Sequence, residues 1–286
     1  MSDAEKLLHK YYLEDNFEIV DLNKNRKKKS NVCYVFFSSN GLYKDRYDVS
    51  IIENMHKINR YEWKFISSNK KIKRKAGKII FLRDIYKNFY IYGISKSVNT
   101  INKIKELLIK ETNGMKIILA GSSAGAYMSL LMGNLIPNTV RIISLGGVVN
   151  LEDFRTFSSY LSENLDKSTY PDITPFLYGK YWTINFYGKN NDYDAHNCFL
   201  LEKHANEDKL INIGFATDEH APRPTGEDLI KLLICSDAHV RRLRDKVIKR
   251  KISTKNSFSI ANIGIFSTFI LKAKSVLIKL MRKHKK

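Results

Sequence analysis

The segment Gly121-Ser122-Ser123-Ala124-Gly125 constrains this chain more than any other, because of what flanks it. Ahead of it, Met115 to Ala120 reads Met-Lys-Ile-Ile-Leu-Ala, a short apolar run of the buried-strand kind. Behind it, residues 126–136 (AYMSLLMGNLI) read as an apolar helix closed by Pro137. Strand, G-x-S-x-G and helix in that order predict a nucleophile elbow. The turn is too tight for side chains on either side of the serine, so glycine is required there, and the serine hydroxyl is pushed into the open. Ser123 is therefore the candidate nucleophile, and the Ala124 amide a candidate oxyanion donor.

The elbow sits in a repeating pattern. Residues 32–37 (VCYVFF) form a strand that ends in the turn-rich Ser38-Ser39-Asn40-Gly41. Residues 61–66 and 78–82 are further strand candidates, separated by a basic loop at 70–75 (KKIKRK). A helix is expected over 97–112, where Ile101, Ile104, Leu107 and Leu108 share a face and Gly114 follows. Strands at 140–145, 182–187 and 209–215 follow, with a helix over 195–205 and another starting near Thr225. Alternating strands and helices imply an α/β fold, a mostly parallel sheet with helices on both faces. Residues 151–180 lack a clean period and carry Phe154, Phe157, Tyr160, Tyr170, Phe176 and Tyr178, which suggests a cap or lid.

In the α/β-hydrolase arrangement the serine is followed in the chain by an acid and then a histidine, each just after a strand. His220 follows the last expected strand, in Asp-Glu-His-Ala-Pro, and is the candidate base; His239 is the rival, should residues 232–235 be the last strand. The acid belongs after the strand ending at Tyr187-Gly188, where Asp194 is preferred and Asp192 is the alternative. Its task is to hold the imidazole in one tautomer and stabilise the imidazolium. Asp194 also sits where a helix N-cap is expected. For the second oxyanion donor the backbone amides of Ser39, Asn40 and Gly41 compete.

The 286 residues carry a net charge of +20, and it is polarised. From Arg241 to Lys286 there are 15 Lys and Arg against the single acid Asp245, or +14; the other 240 residues hold 34 against 28, or +6. Residues 256–271 are uncharged but contain Asn, Ser and Gly, and fall short of the ~20 apolar residues that a membrane span needs. Beyond them Ile270, Ala273, Leu277 and Leu280 share a helix face. The segment thus reads as a cationic amphipathic helical tail, residues 246–286, after a catalytic domain over 1–245, and its expected partner is an anionic membrane surface. No nucleic-acid-binding fold accompanies the charge. Cys33, Cys198 and Cys235 are dispersed and form no metal-ligand pair, and the polar N-terminus lacks a signal-peptide core. Together these predict a cytoplasmic protein, peripheral on the inner face of the membrane, with no metal.

Several motifs resemble those of the serine-dependent capsular polysaccharide O-acetyltransferases with an α/β-hydrolase fold, of the meningococcal serogroup A type. They are FFSSNG after the first strand, FLRD at 81–84 before an aromatic stretch ending at Gly93, GSSAGAY at the elbow, FYGKNNDYD at 186–194, and a late strand followed by His220. The resemblance spans roughly residues 30–225. It departs after the histidine, where family members often have Gly and this chain has Ala221-Pro222. It implies acetyl-CoA as co-substrate rather than a bound cofactor, an acetyl-serine intermediate, and a hydroxyl of a capsular polysaccharide, anionic in character, as acceptor. The basic run at 70–75 would then hold CoA phosphates or an anionic glycan. The same residues serve two other readings: an esterase of acylated carbohydrate or lipid, and a non-catalytic accessory protein that binds glycan or membrane.

Overall fold

The computed structural model describes residues 2–42, 48–153 and 167–273. After helix α1 (Asp3–Tyr12) come strands β1 (Phe17–Asp21) and β2 (Val32–Phe37), helices α2 (Val49–Lys57) and α3 (Lys70–Lys75), and strand β3 (Lys78–Leu82). Helix α4 (Ile101–Thr112) leads to β4 (Lys116–Ser122), α5 (Ala124–Leu135) and β5 (Thr139–Leu145). The chain continues through β6 (Trp182–Gly188), α6 (Asp192–His204), β7 (Leu210–Phe215), α7 (Gly226–Ile234), α8 (Asp237–Arg250) and α9 (Lys255–Ile263).

The seven strands form one sheet in the order β1-β3-β2-β4-β5-β6-β7, parallel except for β1, which pairs antiparallel with β3 at the edge. The chain steps outward from β2 to β3, crosses back to β4 beside β2, and then proceeds the other way. The loops after β2 and β4 consequently diverge at the carboxyl ends of adjacent strands, which opens a crevice there. Strand side chains alternate between two apolar layers. In β2, Cys33, Val35 and Phe37 face a layer completed by α4 and α5, whereas Tyr34 and Phe36 face one completed by α7, α8 and α9. Helix α5 is buried from Ala124 through Gly133, which accounts for an apolar sequence without a polar face.

The structure differs from the sequence expectation at several points. Residues 61–66 alternate like a strand but are irregular, leading into the 3-10 turn Lys64–Ser68, because Glu62 and Trp63 bond to Ser38 and to Phe37 at the end of β2 instead of pairing along a sheet neighbour. The basic run 70–75 is a helix, not a loop; Asn69 caps it, and its one apolar side chain, Ile72, is fully buried. Strand β1 and helices α1 and α2 had no counterpart in the pattern. The residue-245 boundary falls inside α8, and α9 beyond it adds the fully buried Phe258 to the core. Of the expected cap, residues 154–166, with Phe154, Phe157 and Tyr160, lie outside the described residues. Residues beyond them pack on α5, where Tyr127 Oη donates to the Tyr170 carbonyl at 2.6 Å. Among the described residues no helix is long and apolar enough to cross a membrane.

Candidate active site

Ser123 lies between β4 and α5 at φ 52°, ψ −116°, a conformation that L side chains rarely adopt. The two glycines make it feasible. A Cβ on Gly121 would stand 2.0 Å from the Gly125 carbonyl oxygen, and one on Gly125 would stand 2.3 Å from that of Phe37. The strand can therefore fold back against the helix, and the helix can start hard against β2. Ser123 spends its own amide on the Leu145 carbonyl at 2.8 Å, so it is the next amide, Ala124, that opens the helix without an intrahelical acceptor.

The loop after β7 brings His220 over the elbow. Its Nε2 is 2.9 Å from Ser123 Oγ, and its Nδ1 is 2.5 Å from Asp194 Oδ1. Asp194 Oδ2 accepts from the amides of Gly188 and Ala221, both at 3.0 Å, so one buried carboxylate joins the end of β6, the histidine loop and the imidazole. Ala221 takes φ 54°, the left-handed region that favours glycine, at the position where this chain departs from the resembled family. Asp192, at the first position of α6, is exposed; Asn191 caps that helix by accepting from the Asp194 amide at 2.9 Å, so Asp194 is not the cap. His239 lies elsewhere, its Nε2 3.1 Å from Asn262 Oδ1 in α9.

The loop after β2, with the candidate oxyanion amides, is held in part by a residue outside the motifs. Glu62 Oε2 accepts from the Ser39 amide at 2.6 Å, and the Gly41 amide donates to Ser39 Oγ at 3.2 Å. Of the three candidate second donors, two thus have acceptors already, which corrects the expectation for Gly41. The Asn40 amide has none among the described residues. Glu62 Oε1 pairs with Arg223, two residues past Ala221, so this carboxylate links the loop after β2 to the loop that carries His220.

A second support comes from FLRD. The buried Asp84 accepts from the amides of Tyr86, Lys87, Asn88 and Tyr90, and burial pushes its carboxyl up to about 6. The loop it gathers has Lys87, Phe89 and Tyr90 at positive φ, and Tyr90 Oη donates to the Ser38 carbonyl at 2.7 Å. Sequence reasoning missed Glu62, Arg223 and Tyr90. Glu62 left a trace, as a carboxylate inside the otherwise apolar and basic YEWKFI, and Tyr90 lies in the aromatic stretch noted after FLRD.

Ser39, Gly41, Ser123, Glu219, His220 and Arg223 line a cleft of about 280 Å³. Among the described residues Arg223, not the run 70–75, is the Lys or Arg in its wall. Fold, elbow and strand order together define an α/β-hydrolase-like protein, with a serine, an imidazole and a carboxylate in hydrogen-bonded series. Such a series can activate a hydroxyl for attack on an acyl carbonyl and return the proton to the leaving group. Among the described residues no cluster of His, Cys, Asp and Glu has the makings of a metal site.

No family model and no curated protein matches the chain. Among solved structures it is similar to the capsule O-acetyltransferase of Neisseria meningitidis serogroup A, at 15% identity and TM-score 0.48, over 82% of this chain and 92% of that one. A mutant of that enzyme in complex with CoA matches at 15% and 0.47, over 73% and 86%. MenH from S. aureus matches at 10% and 0.45, over 83% and 100%.

Proposed function

We propose that this protein is a serine-dependent O-acetyltransferase that moves an acetyl group from acetyl-CoA to a hydroxyl of a surface polysaccharide. The observation that carries the acyl-transfer part is the unbroken series Ser123 Oγ, His220 Nε2, His220 Nδ1, Asp194 Oδ1 at the wall of an open cleft. Donor and acceptor follow from the motif resemblance alone. In this reading Ser123 Oγ attacks the thioester carbonyl as its proton passes to His220 Nε2. The Nδ1 proton stays on the imidazole, which Asp194 holds in place. The Ala124 and Asn40 amides meet the oxyanion. Collapse expels CoA as its thiol, which takes the proton from Nε2 and leaves acetyl-Ser123. The sugar hydroxyl then gives its proton to Nε2 and attacks the ester, and Ser123 recovers the proton as the acetylated sugar departs.

Water in place of the sugar makes the same series an esterase, and His220, with one third of its side chain exposed, is open to water. The test is incubation with acetyl-CoA, with and without a candidate polysaccharide. Mass spectrometry should find one acetyl group on Ser123, and the polysaccharide should raise CoA release and become acetylated. Acetyl-serine whose turnover ignores every acceptor points to an esterase. No acetyl-serine and no CoA release overturns the reading in favour of a binding protein.

A further inference from the structure

Among the described residues an apolar face stands uncovered near the C-terminal end. Gly264, at φ 94°, ends α9, and residues 265–273 are helical again. Thr268 is turned inward, but Ile265, Phe266 and Phe269 are 73%, 80% and 73% exposed. These stand at i, i+1 and i+4, on one side of the helix. Two whole phenyl rings and an Ile side chain in water are more than a scattered surface residue.

Positive charge predominates near this face. Across a hollow of about 390 Å³, Lys71 of α3 stands opposite Ile263, Ser267 and Ile270. Helix α3 packs on α7 and presents Lys70, Lys71, Lys73, Arg74 and Lys75, all exposed, with no acid of its own. Glu227 meets Lys71 at 3.4 Å, which leaves the remaining four cations of α3 in excess. Lys272 is exposed just beyond Phe269, and from Lys272 to Lys286 the sequence holds seven Lys and Arg and no acid.

We propose that this face docks on an anionic phospholipid bilayer, with Ile265, Phe266 and Phe269 entering the interface while α3 and Lys272 rest on the phosphate headgroups. Charge decides the occupant. A second copy seated on the same face would set one cationic α3 near another, whereas anionic lipid complements both the rings and the cations. Docking also bears on access to the cleft. Helix α9 starts at Lys255, which pairs with the cleft residue Glu219 at 3.4 Å, and its nine residues span roughly 13 Å. The docked face thus holds the cleft close to the bilayer surface. Nothing in this proposal depends on the acyl chemistry.

The experiment is co-sedimentation of the full-length protein with vesicles of phosphatidylcholine alone or mixed with phosphatidylglycerol. Binding is expected to the mixed vesicles only, and to fall as ionic strength rises. Phe266→Ser with Phe269→Ser, and separately Lys73→Glu with Arg74→Glu, should each weaken it by about tenfold or more. Both pairs are exposed, so turnover of a soluble acyl ester should match wild type. Phe266→Trp should be quenched by lipid with brominated acyl chains. Unchanged binding by the Ser pair, or equal binding to neutral vesicles, overturns the proposal. So does sedimentation analysis showing a dimer that the Ser pair dissociates, with no vesicle binding, because a second copy is then the occupant.

Discussion

Ser123 occupies a backbone conformation that costs an ordinary residue about 1–3 kcal/mol. Its replacement therefore separates chemistry from strain. Ser123→Ala should lower turnover by at least about 10³-fold and leave the thermal midpoint nearly unchanged, since only a hydroxyl is lost. Ser123→Gly should be equally inactive but melt about 2–4 °C above Ser123→Ala, because glycine accepts that φ. His220→Ala should cost as much as Ser123→Ala, and the double variant no more than either, as groups acting in one series are not additive. Asp192→Ala, which alters an exposed side chain away from the imidazole, should stay within about twofold of wild type in kcat. At this scale Ser123 and His220 were legible because each follows a recognisable strand. The choice between Asp192 and Asp194 was not, since both lie in one turn of α6 and only its docking against β6 turns Asp194 inward.

Among the elements, the loops after β2 and β3 act as a pair, joined by Tyr90 Oη and the Ser38 carbonyl. Asp84 organises the second loop, and its raised carboxyl makes stability depend on pH in a stated direction. An unfolded Asp titrates near 3.9, the folded one at about 6, so between about pH 4 and 6 the folded state holds more protons. Stability should accordingly fall as pH rises through that window, by on the order of 2–3 kcal/mol at most. Urea titrations across it should show the decline in wild type. Asp84→Asn should flatten this slope yet be less stable throughout, because its NH2 would face backbone amides that now donate to Oδ2. On the other side, Glu62→Gln removes the carboxylate that bridges the Ser39 amide and Arg223. If Glu62 aligns the oxyanion loop, kcat should drop about tenfold or more with little change in KM. A structural role alone would lower the melting point without that split. The central parallel strands could be read to within a residue or so, since strands buried on both faces are continuous apolar runs. Residues 61–66 mimicked one because their apolar spacing also suits a loop folded over the sheet end. Helix α3, nearly all cationic, owes its place to Ile72 and to α7.

For the whole molecule, the basic C-terminal region is two things. Helix α9 belongs to the core: Phe258 meets Phe186 and Phe215, and Ser259 Oγ and Asn262 Nδ2 donate to the buried Asp228 at 2.5 and 2.9 Å. A chain ending at Arg250 should lose Phe258 and leave that carboxylate short of donors. We expect it to be destabilised by several kcal/mol and to be largely insoluble or inactive. A chain ending at Gly264 should keep its melting point within a few degrees and its turnover of a soluble ester, as circular dichroism and an esterase assay would show. The sequence by itself determined the α/β class, the elbow, the position of the histidine and the polarity of charge. Those properties are written in local spacing: apolar runs, glycines that a tight turn demands, and unlike counts of acid and base. What only the tertiary structure decided is which of two aspartates meets the imidazole, that Glu62 and Tyr90 hold the loop after β2, and where the core ends. Each of these depends on groups distant in the chain, 161 residues apart for Glu62 and Arg223, meeting in the fold; no local pattern encodes such a meeting, because it is created by strand order and packing.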